Sequence, residues 1–296
     1  MKIFVTGASG FVGSAVVKDL LENGYEVLGL ARSESSAKKI LEMGAEVHLG
    51  DITDVASLEA AVENSDGVIH TAFNHDFTRF QKSCEEERAA VLAMGNVLKG
   101  SNRPLVITGA AGAIATGNLV NENDRGKNKQ IPRYVSEQVA DELTAQNLNI
   151  SVVRLPPSVH GYGDTHGFVP TLVNLAKSKG KLAYIEDGMN AWAAVNRLDA
   201  APVYRLAMQK KDAPGTRYHA VAESQIFLKD LTGLLSKKMN LPLVSLTKEE
   251  ATDYFGGFFH FASLNIPIDS KQTQKSLGWQ PIHPTLFKDI ENNVYF

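Results

Sequence analysis

Short apolar runs alternate with amphipathic stretches through the first half of the chain. The runs Lys2 to Val5, Glu26 to Ala31, Glu46 to Leu49, Gly67 to Thr71, Leu105 to Thr108 and Ile150 to Arg154 have the length and composition of strands. Between them lie helical patterns: one ending near Asn23-Gly24, then SESSAKKILEM, Leu58 to Glu63, Cys84 to Leu98, and the stretch that carries Tyr134. Strand and helix repeated at this spacing predict βαβ units, hence an α/β fold with a doubly wound parallel sheet and a ligand crevice at the carboxyl ends of its strands.

After Arg154 the rhythm breaks into PPSVHGYGDTHGF. Later pieces such as LKDLTGLLSKKM and TKEEATDYFG read as helices without regular strands between them. The expected organisation is a core over residues 1–155, completed by about 190–212, with a smaller, mostly helical lobe built from 156–189 and 213–296. The aromatics of DYFGGFFHF, Tyr254, Phe255, Phe258, Phe259 and Phe261, read as the core of that lobe. Residues 112–130 are polar and long for a loop in a compact core, the signature of a lid or a disordered segment.

Composition narrows the partners. The 296 residues are 44% hydrophobic and 21% charged, with a net charge of -3, so neither disorder nor a polyanionic partner fits, and no Lys/Arg cluster marks a nucleic-acid surface. No stretch of eighteen apolar residues suggests a membrane span, and MKIFVTG runs straight into a strand rather than a signal peptide, which points to a cytoplasmic protein. Cys84 is the single cysteine; the acidic QKSCEEER around it raises rather than lowers a thiol pKa.

The stretch VTGASGFVG places Gly7, Gly10 and Gly13 between the first strand and the first helix. Glycines there let the backbone turn tightly and approach a pyrophosphate, which the first helical N–H groups and the positive helix end would hold, and this puts Ser9, Phe11 and Val12 on the same surface. At the end of the second strand, where an acidic residue would bind both ribose hydroxyls of NAD, the chain has Arg32-Ser33, which can pair with a 2′-phosphate. NADP is therefore expected; NAD stays possible, because Glu34 could serve the ribose. Asp51-Ile52 is placed to flank the adenine, and Asp51 could also cap the following helix.

The chain resembles the extended and atypical short-chain dehydrogenase/reductases over its full length. The resemblance rests on TGASGFVG, GDITD, DGVIHTA, LVITGAA, Tyr134, VVRLPPSVHG, LGWQP and AVNRLDAA at 194–201, the last shared with a group of NAD(P)-dependent epimerase/reductase-like proteins. It implies a nicotinamide-binding Rossmann fold and hydride transfer, extends the cofactor surface to Thr71, Ala72, Phe73 and Pro156, and implies a catalytic Ser/Thr, Tyr and Lys. Tyr134 matches the tyrosine. Gln138 stands where the lysine would be, and the serine position falls on Ala110, with Thr108 as the nearest hydroxyl. His160 follows the strand ending at Arg154, where family members line nicotinamide and substrate, and would be a reserve proton donor. Relatives often dimerise through the helices that here span Cys84 to Leu98 and Tyr134 to Gln146.

These departures favour reduction. A tyrosine without a neighbouring cation is phenolate to only about one part in a thousand at pH 7. Alcohol oxidation needs that base, whereas carbonyl reduction needs the protonated phenol as acid. Arg133, Lys127, Lys129 and Arg154 are candidates for restoring the charge. The expected activity is NADPH-dependent reduction of a small aldehyde or ketone. A catalytically silent NADP(H)-binding sensor is the alternative, and a sugar-nucleotide epimerase a further one. The HGYGDTHG string holds metal-ligand residue types, but its glycines offer no fixed spacing, and no metal site is expected.

Overall fold

The computed structural model describes residues 1–126, 131–210 and 214–296. Seven parallel strands form the main sheet: β1 (Lys2–Thr6), β2 (Glu26–Ala31), β3 (Glu46–Leu49), β4 (Gly67–His70), β5 (Leu105–Ala110), β6 (Ile150–Leu155) and β10 (Thr216–His219). Their spatial order is β10-β6-β5-β4-β1-β2-β3. The order reverses at β1, whose Val5 pairs with Gly29 on one side and Ile69 on the other, so the crevice opens above β1 and β4. β1 and β4 to β6 are buried almost throughout, as a sheet covered on both faces requires.

One face is covered by α1 (Phe11–Glu22) and α7 (Arg197–Gln209), with α2 (Glu34–Glu42) alongside; Val16, Leu20, Val203 and Tyr204 share a core with Ile3 and Val5. The other is covered by α3 (Val55–Glu63), α4 (Phe80–Leu98) and α5 (Val135–Ala145), whose Leu58, Met94 and Leu143 pack on Phe4, Val68 and Ile107. α4 starts four residues before the sequence pattern suggests, after a 3-10 turn at Phe77–Arg79.

The lobe is mostly helical, but it also holds strands that the sequence pattern does not show. It contains β7 (Ser158–His160), β9 (Ala191–Asn196) and β11 (Glu223–Phe227) in one sheet, and β8 (Leu182–Ile185) with β12 (Leu243–Leu246) in another. These strands are short, and each has only one or two partners, so period-2 patterning hardly develops. α6 (Phe168–Lys179), α8 (Leu228–Met239) and α9 (Lys248–Phe255) complete it, α9 opened by a Thr247/Glu250 capping box. Tyr254 and Phe255 are buried in its core, with Phe258 and Phe259 packed against them and Phe261 5.1 Å from Phe168 between ring centroids. β10 returns to the main sheet from within the 213–296 stretch that the sequence pattern assigns to the lobe.

Residues 112–126 are pinned rather than free. Val120 bridges to Ile268, the Glu122 carboxylate accepts from Thr273 N and Oγ1 at 2.7 and 2.8 Å, and Arg154 holds the carbonyls of Glu122 and Asp124 at 3.3 and 3.0 Å. Residues 127–130, including Lys127 and Lys129, lie outside the described residues.

Candidate active site

In the loop after β1, Gly7 and Gly13 leave no room for a side chain. Gly7 has φ +67°, and a Cβ on it would lie 2.8 Å from both Ala72 N and Thr71 Oγ1. A Cβ on Gly13 would lie 2.1 Å from the Gly7 carbonyl oxygen. Thr71 Oγ1 donates to the Thr6 carbonyl at 2.7 Å, and Ala72 N to Thr6 Oγ1 at 3.3 Å, locking the ends of β1 and β4 together. The helical ladder of α1 begins with Ser14 N on the Gly10 carbonyl at 2.9 Å, so the N–H groups of Phe11, Val12 and Gly13 precede it. Close backbone approach plus unpaired donors at a helix start is a cradle for a dinucleotide pyrophosphate, with half-buried Ser9 at its edge.

Arg197 is a part of this cradle that its sequence motif did not reveal. Its guanidinium carbon lies 4.8 Å from the Phe11 ring, and Nη1 donates to the Phe11 carbonyl at 3.2 Å, bracing the first turn of α1 from the lobe side.

At the far end of the cradle, Arg32 is exposed and Ser33 is the N-cap of α2, its Oγ accepting from Ser36 N at 3.2 Å. Ser33 Oγ also lies 3.1 Å from each of the Ser35 and Ser36 hydroxyls at that helix start. Asp51 does not cap α3. Its Oδ1 accepts from Thr53 N and Oγ1 at 2.9 and 2.8 Å in a local turn, and Asp54 is the cap. Ile52 is half-buried beside it, and Pro156 is buried just past β6.

The proposed catalytic residues separate. Tyr134 ends a 3-10 turn at Pro132–Tyr134 and is the N-cap of α5 rather than part of its first turn. Its ring is 2% exposed and packs with Ala111, Ala113, Ile114, Ile266 and Ile268, with the Gly126 backbone so close that a Cβ there would lie 2.7 Å from the ring. Gln138 is solvent-exposed and is not part of that cluster. What surrounds the phenol raises its pKa: burial first, then the carboxylates of Glu137 and Asp141, against the partial opposition of Arg125 and Arg154. The hydroxyl is thereby kept protonated.

Thr108 Oγ1 donates to the His70 carbonyl at 2.9 Å and lies 2.9 Å from the Tyr204 hydroxyl, so it ties β5 to β4 and α7. His160 is fully buried in the lobe, Nδ1 2.6 Å from Asp289 Oδ2, with Asn196 donating to the same oxygen at 3.3 Å. Enclosed there, it fastens the C-terminal helix Leu286–Glu291 to β7 instead of meeting a carbonyl at the cleft. His70 is also buried and stays neutral, its pKa lowered to about 3 by desolvation and by Arg133.

Arg133 and Tyr134, adjacent in sequence, face different neighbours. Arg133 Nη1 pairs with Glu87 and donates to Ser136 Oγ at 2.7 Å, while its guanidinium lies 4.3 Å over the Phe73 ring. Its Nη2 is 3.5 Å from the Thr108 carbonyl, at the carboxyl ends of β4 and β5. Arg154, another candidate cation, is committed elsewhere, to Glu137.

Cys84 is buried, and its thiol is pushed up to about 11 by burial, against the partial opposition of Arg133, with Glu87 and Glu85 adding to the rise. Among the described residues no helix is long and apolar enough to cross a membrane.

Comparison with known proteins places this geometry. Residues 3–104 match the NAD dependent epimerase/dehydratase family. An uncharacterised protein of Schizosaccharomyces pombe is 44% identical, covering 100% of both chains. The 2-alkyl-3-oxoalkanoate reductase of Stenotrophomonas maltophilia is 29% identical over 73% of this chain and 67% of its own. A double mutant of dTDP-glucose 4,6-dehydratase from Streptomyces venezuelae, solved with NAD, superposes with a TM-score of 0.79 at 17% identity, covering 99% of this chain and 96% of that one. The chain belongs to the NAD dependent epimerase/dehydratase family of extended short-chain dehydrogenase/reductases, a family of NAD(P)-dependent enzymes.

Proposed function

We propose that the protein is an NADPH-preferring reductase of small carbonyl compounds, with the Tyr134 phenol as proton donor. The observation that carries the cofactor reading is the Gly7–Gly13 cradle, closed by Thr71 and Ala72, above the unpaired N–H groups of α1. Arg32 and the serine-capped start of α2 favour the phosphorylated ribose, because an arginine and a helix N-terminus both attract a dianion and no carboxylate is hydrogen-bonded to Ser33. A bound nicotinamide would supply the hydride. The chain's own part is to hold that ring above β4 and β5, exclude water, and deliver a proton to the carbonyl oxygen.

The direction of reaction follows from the phenol. Burial and two carboxylates keep Tyr134 protonated, which suits an acid and disfavours the base that an alcohol oxidation or an epimerisation requires. The likeness to an oxoalkanoate reductase points the same way. The test is NADPH oxidation with short aldehydes, ketones and oxo acids, NADH in parallel. Loss of turnover in Tyr134→Phe with cofactor binding retained is expected; full activity in that variant would overturn the role of the phenol.

One observation favours a second reading, a silent NADP(H)-binding sensor: Tyr134 is almost fully covered, and Gln138 is turned to solvent. That reading requires different affinities for NADP and NADPH, since a pair bound equally shifts no equilibrium.

A further inference from the structure

Phe73 lies three residues past the end of β4, and two basic side chains meet on it. Arg133 lies on its face with the guanidinium carbon 4.3 Å from the centroid, and the His75 ring stands edge-on at 5.1 Å. Arg133 is fixed from behind by Glu87 and by Ser136 Oγ at 2.7 Å. A guanidinium has five N–H donors. Here Nη1 serves Glu87 and Ser136 and Nη2 reaches the Thr108 carbonyl, which leaves Nε–H and one Nη2 N–H without an acceptor among the described residues. The side chain is 13% exposed, open to a small group only.

One carboxylate, Glu87, faces Arg133. Burial pushes its pKa up against the pull of that arginine, and one of its oxygens has no partner. His75 is held below the usual imidazole range by desolvation and then by repulsion from Arg133, with His166 of the lobe loop adding to it. His75 thus lies within electrostatic reach of both Arg133 of the core and His166 of the lobe loop, and an anion bound there would ease the repulsion its protonated form meets.

Resting on the reductase reading above, we propose that the substrate is a carbonyl compound that also bears a carboxylate, bound by Arg133 with His75 assisting. An arginine clamped on an aromatic face and a buried carboxylate keeps its free edge in one plane, the geometry that takes a carboxylate through two parallel N–H donors. Gripping the acid end would fix the carbonyl relative to the ends of β4 and β5 at little entropic cost.

The test compares 3-oxobutanoate with its neutral methyl ester, titrated calorimetrically into protein saturated with NADP, beside NADPH oxidation by the same compounds. The acid is expected to bind at least about tenfold more tightly, the scale of one charge-assisted contact, and the difference should shrink in 1 M salt. Arg133→Gln should bring the ratio close to one, Arg133→Lys should restore part of it, and His75→Gln should lower it less. Equal binding of acid and ester, no binding of either, or a preference that survives Arg133→Gln overturns the proposal. Should Arg133→Gln not fold, as judged by its unfolding midpoint and NADP affinity, Arg133→Lys and His75→Gln decide. Oxidation of NADPH by neutral aldehydes without acid preference leaves the reductase standing and removes this inference. Arg133-dependent acid binding without turnover does the reverse.

Discussion

Arg154 and Glu137 form a bidentate pair inside the protein, Nε to Oε1 at 2.8 Å and Nη2 to Oε2 at 2.9 Å, with both side chains at most 2% exposed. Arg217 adds a second cation, its Nε 3.0 Å from Glu137 Oε2 and its Nη2 2.7 Å from Asp141 Oδ1. Arg154 also reaches His219 and the carbonyls of Glu122 and Asp124. One carboxylate on α5 thereby organises β6, β10 and the long loop over Tyr134.

Glu137→Gln is expected to destabilise the fold by roughly 3 to 5 kcal/mol, because it leaves the buried Arg154 guanidinium without its anion and Arg217 with Asp141 alone. Urea unfolding measures this. A loss under about 1 kcal/mol would mean that the network contributes little.

The same residue sets an acid limit. Burial alone would raise the Glu137 pKa, but the hydrogen bonds and charges of Arg154 and Arg217 outweigh it and hold it below the usual carboxylate range. A depressed folded-state pKa contributes stability above the unfolded value, about 4.3, and loses it as pH falls through the folded value. The wild-type unfolding midpoint should decline below about pH 4.3 more steeply than that of Glu137→Gln. Parallel curves would assign acid sensitivity to other groups.

Gly13→Ala should be far more damaging than Gly10→Ala. The added methyl meets the Gly7 carbonyl oxygen at 2.1 Å in the first case and at 3.0 Å in the second. Backbone on both sides cannot yield, so the cost should exceed the about 1 to 3 kcal/mol typical of overpacking, and NADP binding should vanish. Thermal unfolding and a cofactor titration of both variants test the ranking.

Arg32→Glu should reverse the cofactor preference. Losing a charge-assisted contact worth about 1.5 to 3 kcal/mol weakens NADPH by roughly 10- to 100-fold while NADH changes little or improves. Ser33→Ala should cost about 1 kcal/mol of stability through the lost cap of α2. Dissociation constants for both cofactors, measured by fluorescence, decide; an unchanged ratio in Arg32→Glu would remove Arg32 from the site.

Tyr134 shows where sequence reasoning stops. Its spacing to Gln138 reads as a shared helix face only if both lie in one regular helix. The proline at 132 starts a 3-10 turn instead, which rotates Tyr134 into the apolar cluster and leaves Gln138 outside. His160 differs for another reason: its partner Asp289 is 129 positions away, so nothing near the histidine announces that its Nδ1 is taken.

The sequence alone determined the strand-helix alternation of the core, the glycine cradle with its place between β1 and α1, and the basic, carboxylate-free character of Arg32-Ser33. Each is a property of contiguous residues, written by short-range sterics and by periodic burial. Only the tertiary structure decided which charges meet. Glu87 reaches Arg133 across 46 positions and Arg217 reaches Glu137 across 80, and the pKa of Tyr134 depends on groups brought to it by α5, β6 and the loop that carries Arg125. Electrostatic strength depends on distance and burial, neither of which has a sequence period.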